Sequence, residues 1–202
     1  MKIGLYFGTF NPIHVGHLII ANYMADYTDL DEVWLVVSPQ NPLKKKKSLL
    51  QDYHRLELVR VGIEDNDKLR VTDIEFGLPK PSYTAHTLIH LEEKFPQHQF
   101  ALIMGEDNLR TLEKWKNYDT IIEKHKLFVY PRPLTHEEIE EIKEMGDPVS
   151  SFVNHKNVVM CDAPVMKLSA SFIRKAVKEG RDVRYLLTEP VFKYIDEMNF
   201  YR

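Results

Sequence analysis

Cysteine is nearly absent: the 202 residues include one, Cys161. No intrachain disulfide and no thiolate zinc cluster can form, and a reducing, cytoplasmic setting is expected. A basic excess is also missing. Lys and Arg number 27 against 30 Asp and Glu, a formal charge of −3. That balance argues against a general nucleic-acid binder, while leaving room for a local basic pocket that takes phosphates. No apolar run approaches the roughly 18–20 residues that span a bilayer, so no membrane partner is expected. The opening MKIGLYFGTF lacks the apolar core and small-residue cleavage site of a signal peptide. There is no internal repeat, and the one low-complexity tract is the lysine run 44–47. The nine histidines show no HExxH pattern, and no carboxylate cluster forms a dedicated metal cage.

What is present is an ordinary globular composition, 44% hydrophobic and 28% charged. Short apolar runs alternate with amphipathic stretches. Residues 2–7, 32–38, 69–72, 99–104, 126–130 and 157–160 read as strands. Residues 14–27, 51–64, 83–95, 107–112, 118–124, 169–179 and 189–197 read as helices, and 135–145 as an acidic surface helix. In the first helix Val15, Leu18, Ile19 and Tyr23 form the expected inward face; in the second, Leu56, Val59 and Ile63 do. This alternation predicts an α/β fold: a doubly wound, mainly parallel sheet covered on both faces. One domain is expected over residues 1–202, with the sheet in about 1–131 and a small helical part in about 155–202. Ligands of such sheets sit at the carboxyl ends of the strands, where strand order reverses.

The loop after the first strand reads GTFNPIHVGH, residues 8–17. Asn11-Pro12 is a turn signal that ends the strand. The helix that follows offers free N–H groups and a positive dipole end, suited to phosphate. His14 and His17 are three residues apart and share one face of its first turn. Two imidazoles there can donate hydrogen bonds to phosphate oxygens as charge shifts in a transition state. Gly8 and Gly16 let a nucleotide approach the backbone closely. The segment is neither GxxxxGK[ST] nor GxGxxG. Near the other end, LSASFIR, residues 168–174, places Ser169 and Ser171 at a helix start with Arg174 beyond. Hydroxyls, free N–H groups and a guanidinium can form a second phosphate cradle.

These two segments resemble the GxFxPxHxGH and ISSTxIR signatures of the nucleotidyltransferase superfamily. The resemblance implies a Rossmann-like fold and ATP bound through Gly8, Thr9, Phe10, His14 and His17 at one end. At the other it implies Ser169, Ser171, Ile173 and Arg174. It also implies that His14 and His17 stabilise the transition state at the α-phosphorus. Asn11 stands where the family often has Asp, and Ala170 where it has Ser.

Three further segments resemble the nicotinate mononucleotide adenylyltransferases. Residues 38–44, SPQNPLK, resemble that family's PxxxPxxK loop and give Lys44 a phosphate contact; Leu43 stands where histidine is frequent. Residues 81–88, PSYTAHTL, resemble its SYTxDTL segment, so Tyr83 and Thr84 take the nicotinate ring and carboxylate; His86 replaces Asp. Residues 104–109, MGEDNL, with Trp115, resemble its GxDxLxxLxxW. There Gly105 and Asp107 serve ATP, Asp107 accepts ribose hydroxyls, and Trp115 stacks on the pyridine ring.

The implied reaction moves AMP from ATP to nicotinate mononucleotide. Its catalytic residues are His14, His17, Lys44 and Arg174; the mononucleotide contacts are Asn11, Lys44, Tyr83, Thr84, Asp107 and Trp115. Mg²⁺ is expected to ride on the ATP phosphates. Two alternatives are a phosphopantetheine adenylyltransferase-like enzyme and a non-catalytic nucleotide-binding module. Oligomeric state is left open.

Overall fold

The computed structural model describes residues 1–39, 49–133 and 151–202. Its strands are β1 (Lys2–Gly8), β2 (Glu32–Val37), β3 (Leu69–Thr72), β4 (Gln99–Gly105), β5 (Leu127–Tyr130) and β6 (Val158–Met160). They form one sheet in the order β3-β2-β1-β4-β5-β6, and every pairing is parallel. Every expected strand is present with its ends within one residue of the expected ones. The order reverses between β1 and β4, the switch point at whose carboxyl ends sheets of this kind take their ligands. The helices are α1 (Val15–Tyr27), α2 (Asp52–Gly62), α3 (Thr84–Lys94), α4 (Glu106–Arg110), α5 (Tyr118–Lys124), α6 (Ala170–Lys178) and α7 (Glu189–Glu197). Lys44 and the acidic stretch 135–145 lie outside the described residues.

Strand side chains alternate between faces, and the core divides accordingly. Val33, Leu35 and Val37 of β2 pack on one side with Ile20 and Met24 of α1, Leu58 of α2, Ile173 of α6 and Val191 of α7. Ile3 and Leu5 of β1 and Leu102 and Met104 of β4 pack on the other with Leu88 of α3 and Ile121 of α5. Both faces are therefore sealed, as an all-parallel sheet requires.

Two expectations change. The buried stripe of α1 is Gly16, Ile20, Ala21, Met24 and Ala25, whereas Val15, Leu18, Ile19 and Tyr23 are half-exposed. The helix is apolar nearly all round, so periodicity alone did not fix its orientation. Gly16, Ala21 and Ala25 let it lie close to the sheet, while Ile20 and Met24 fill the core between them. The single helix expected over 107–112 is instead α4 followed by a 3₁₀ turn at Leu112–Lys114. Thr111 donates its hydroxyl to the carbonyls of Asp107 and Asn108 there, a local bond that competes with helix continuation.

One buried charge orders the loops above the sheet. Arg55 of α2 is fully buried. Its Nε donates to Leu50 O at 3.2 Å, and Nη1 donates to Thr9 O at 2.6 Å and Ser38 O at 2.8 Å. Nη2 donates to Asp52 Oδ1 at 2.6 Å and to Pro39 O at 3.4 Å. Five N–H groups thus meet five acceptors, the full capacity of a guanidinium. The carbonyls come from the loop after β1, the loop after β2 and the entry to α2. Arg55→Met keeps the side-chain length but strands these acceptors, and is expected to lower unfolding free energy by about 3 kcal/mol. Urea denaturation measures this; a loss under about 1 kcal/mol would mean that the loops hold themselves.

Candidate active site

The loop leaving β1 is shaped by its aromatic residue. Phe10 has φ 43°, an uncommon left-handed conformation for a bulky residue. Its buried ring compensates: it fills the space above Gly8, where a Cβ would lie 2.7 Å from the ring. The ring also meets His17 edge-on at 5.1 Å between centroids. Gly8 is therefore required for the packing of this loop, beyond any approach of a ligand.

His14 sits at the N-cap of α1 with extended backbone, and its carbonyl accepts from His17 N and Leu18 N at 2.9 and 3.2 Å. The two imidazoles stack, with centroids 3.8 Å apart and planes inclined by 22°. Gly16 makes room, since a Cβ there would come within 3.1 Å of the His14 ring. His14 is only 4% exposed, and burial pushes its pKa down to about 4. It is therefore neutral near pH 7, and its buried Nδ1 has no hydrogen-bond partner among the described residues. A neutral imidazole in this position can donate to an anion without a cation having first been desolvated.

The second segment reaches the first. Arg174 of α6 donates through Nη1 to Asn11 O at 2.7 Å, across 163 residues of sequence, and through Nη2 to Ser171 Oγ at 3.0 Å. The Leu168 side chain lies 3.8 Å from the Gly16 Cβ position. Ser169 caps α6, its Oγ accepting from Phe172 N at 3.2 Å. Ser171 is exposed beside it, while the Ile173 side chain is in the core, so only the backbone of Ile173 can face a ligand. Asn11 is buried as well. Its Oδ1 accepts from Leu50 N at 3.2 Å and from the Tyr201 hydroxyl at 2.9 Å. Asn11 thus holds the loop to α2 and to the end of the chain.

At the end of β4, Gly105 and Asp107 are in close contact: a Cβ on Gly105 would lie 2.5 Å from Asp107 Oδ1. Asp107 pairs through Oδ2 with Arg132, beyond β5, while its buried Oδ1 has no hydrogen-bond partner among the described residues. Tyr6 and Tyr130 connect this corner to the histidines. Their hydroxyls are 3.3 Å apart, and the Tyr6 ring meets His17 edge-on at 6.2 Å. Burial pushes both phenols above their ordinary pKa.

On the other face of the sheet, Tyr83 is the N-cap residue of α3 and half-buried; neither Ser82 nor Thr84 caps that helix. Thr84 begins α3, and His86 is exposed with its ring 5.6 Å from that of Tyr83. Lys116 sets its ammonium 4.8 Å from the Tyr83 ring centroid. The neighbouring Trp115 is half-buried against the second core. The tyrosine and tryptophan segments are therefore adjacent.

Sequence reasoning missed Arg55, Arg132, Tyr6, Tyr130 and Tyr201. Only Arg55 had a signal: it falls one turn before the buried Leu58 and Val59, a charge on an inward helical stripe.

Among the described residues no helix is long and apolar enough to cross a membrane, and no group of three or more His, Cys, Asp or Glu could hold a metal.

Residues 5–176 match the cytidylyltransferase-like family model. A "Probable nicotinate-nucleotide adenylyltransferase" of Flavobacterium johnsoniae is 54% identical over 202 residues, all of both chains. One of the same name from Bacteroides fragilis is 42% identical, covering 96% of this chain and 90% of its own. The fold is similar to that of Plasmodium falciparum nicotinic acid mononucleotide adenylyltransferase complexed with NaAD. The TM-score is 0.76 at 18% identity, covering 99% of this chain and 97% of that one. The chain belongs to the cytidylyltransferase-like family and, within it, to the family of these nicotinate-nucleotide adenylyltransferases.

Proposed function

We propose that this protein transfers AMP from ATP to nicotinate mononucleotide, giving nicotinate adenine dinucleotide and pyrophosphate. The stacked His14–His17 pair, on the loop that Arg174 reaches from across the fold at Asn11, carries this reading. The nicotinate-nucleotide adenylyltransferases named above, 54% and 42% identical to this chain, support the choice of acceptor.

The 5′-phosphate of the mononucleotide attacks the α-phosphorus in line. This nucleophile is already an anion, so no general base is assigned. The protein brings two anions together and offers donors where negative charge builds up on the α-phosphate and the leaving pyrophosphate. His14 and His17 face the α-phosphate from the start of α1; Ser169, Ser171 and Arg174 take the remaining phosphates; and Lys44 serves the acceptor phosphate. Gly8, Thr9 and Phe10 shape the floor under the nucleotide. Asp107 accepts ribose hydroxyls, with Arg132 orienting its carboxylate. Tyr83 and Thr84 receive the nicotinate carboxylate and Trp115 its ring, while Asn11 shapes the loop between the two nucleotides. Mg²⁺ would be held by the triphosphate oxygens, where it offsets charge.

His14 also carries a pH signature. Its folded pKa of about 4 lies below the ordinary 6.5. The unfolded chain therefore binds the extra proton first, and stability present above pH 6.5 is lost as pH falls towards 4. The loss from this residue is about 3 kcal/mol. In urea titrations, wild type is expected to lose more stability than His14→Asn between pH 7 and about pH 4.5. Equal losses would place His14 in water.

The reaction is tested by pyrophosphate release from Mg-ATP with nicotinate mononucleotide, nicotinamide mononucleotide or phosphopantetheine offered separately. The nicotinate compound should be the preferred acceptor; release with none of the three would leave a nucleotide-binding module. His17→Ala should lower kcat by about 100-fold, the loss typical of one transition-state donor. A folded variant with near-normal kcat would remove His17 from the chemistry. Trp115→Ala should raise KM for the mononucleotide more than for ATP, and equal effects would count against ring stacking.

A further inference from the structure

Glu75 lies in the 3₁₀ turn Ile74–Gly77 after β3 and is 1% exposed. Its Oε1 accepts from Thr87 Oγ1 at 2.7 Å, and Thr87, one turn into α3, is fully buried. Burial raises the carboxyl pKa, while the hydroxyls of Thr87, Ser38 and Ser82 favour the charged form. Glu75 Oε2 and Ser82 Oγ have no partner within 3.5 Å among the described residues, so the approach of Ser82 is looser than the Thr87 bond.

The three hydroxyls come from two places. Ser38 opens the loop after β2, whereas Ser82 and Thr87 flank Tyr83–Thr84 at the start of α3. A carboxylate can accept up to about four hydrogen bonds, and in a buried setting each fixes its donor firmly. We propose that Glu75 is a positioning residue for the acceptor mononucleotide, holding Tyr83–Thr84 at the start of α3 against the turn after β3 through its bond from Thr87, without touching substrate. This rests on the assignment of the mononucleotide to those segments.

The layout supplies a way to tell positioning from general support. Ile74 and the inward side chains of α3 belong to the second core, whereas α1 and α6, which carry the histidines and Arg174, pack on the first. A disturbance at Glu75 should therefore reach the mononucleotide and spare ATP. Two full-length variants test this. Glu75→Gln keeps an acceptor for Thr87 but turns the second oxygen into a donor. Thr87→Val preserves shape and removes the hydroxyl, and it carries the test should Glu75→Gln unfold. KM for nicotinate mononucleotide is expected to rise about tenfold, on the order of one buried hydrogen bond, with KM for ATP changing less than about twofold. An equal rise in both KM values, or no rise, overturns the proposal. Wild-type turnover with nicotinate mononucleotide upholds the reading of the site, so failure of the split then counts against Glu75 alone. A wild type inactive with that acceptor overturns the reading and this proposal with it.

Discussion

A guanidinium ion withdrawn from water is tolerable only where every N–H finds an acceptor. Arg55 meets that condition with backbone carbonyls of Thr9, Ser38, Pro39 and Leu50 and the carboxylate of Asp52. Loop carbonyls at the end of a parallel sheet have no neighbouring strand to bond, so they need another donor. One side chain supplies it to two loops at once. The loop that carries His14 and the loop that begins the 38–44 segment consequently share a single anchor. Arg fits where Lys would not, because the planar fork reaches several carbonyls in fixed directions.

From that anchor the site is assembled by close approaches. A Cβ at Gly8 would strike the Phe10 ring, one at Gly16 would press on His14, and one at Gly105 would strike Asp107. Each glycine stands beside a side chain of the proposed site, and each approach is internal to the protein. The glycine spacing of the 8–17 segment is thus explained by packing of its own rings. Room for a nucleotide follows from where those rings come to rest.

This bears on what a sequence can reveal. The sheet was legible because apolar strand runs recur between helices, and strand ends came out within one residue. The histidine pair was legible because three-residue spacing at a helix start fixes a shared face. The face of α1 was not legible: apolar residues lie on both flanks of its buried stripe of Gly16, Ile20, Ala21, Met24 and Ala25, so several faces matched the pattern. Glu75, Arg132 and Tyr201 were not legible because they act across long sequence separations from turns and ends that carry no period. Tyr201 meets Asn11 across 190 residues. Lys44, read from the same kind of motif, lies outside the described residues.

The bond from Arg174 to the Asn11 carbonyl has a consequence for charge. A guanidinium serving only as a phosphate ligand would have no partner until the nucleotide arrived and would be free to move. Here one of its nitrogens is held by a backbone oxygen of the loop that also carries His14 and His17. The cation is oriented before any anion binds, so less reorganisation is required when charge develops at phosphorus. The same bond fixes α6 against the first loop, so the two segments proposed to bind phosphate are set at one distance from each other. His14 complements this arrangement by remaining neutral: a protonated imidazole buried at that place in the loop would need its own counter-charge. One fixed cation and a stacked imidazole pair, joined through the loop of residues 8–17, together form the donor surface on which the proposed polyphosphate site rests.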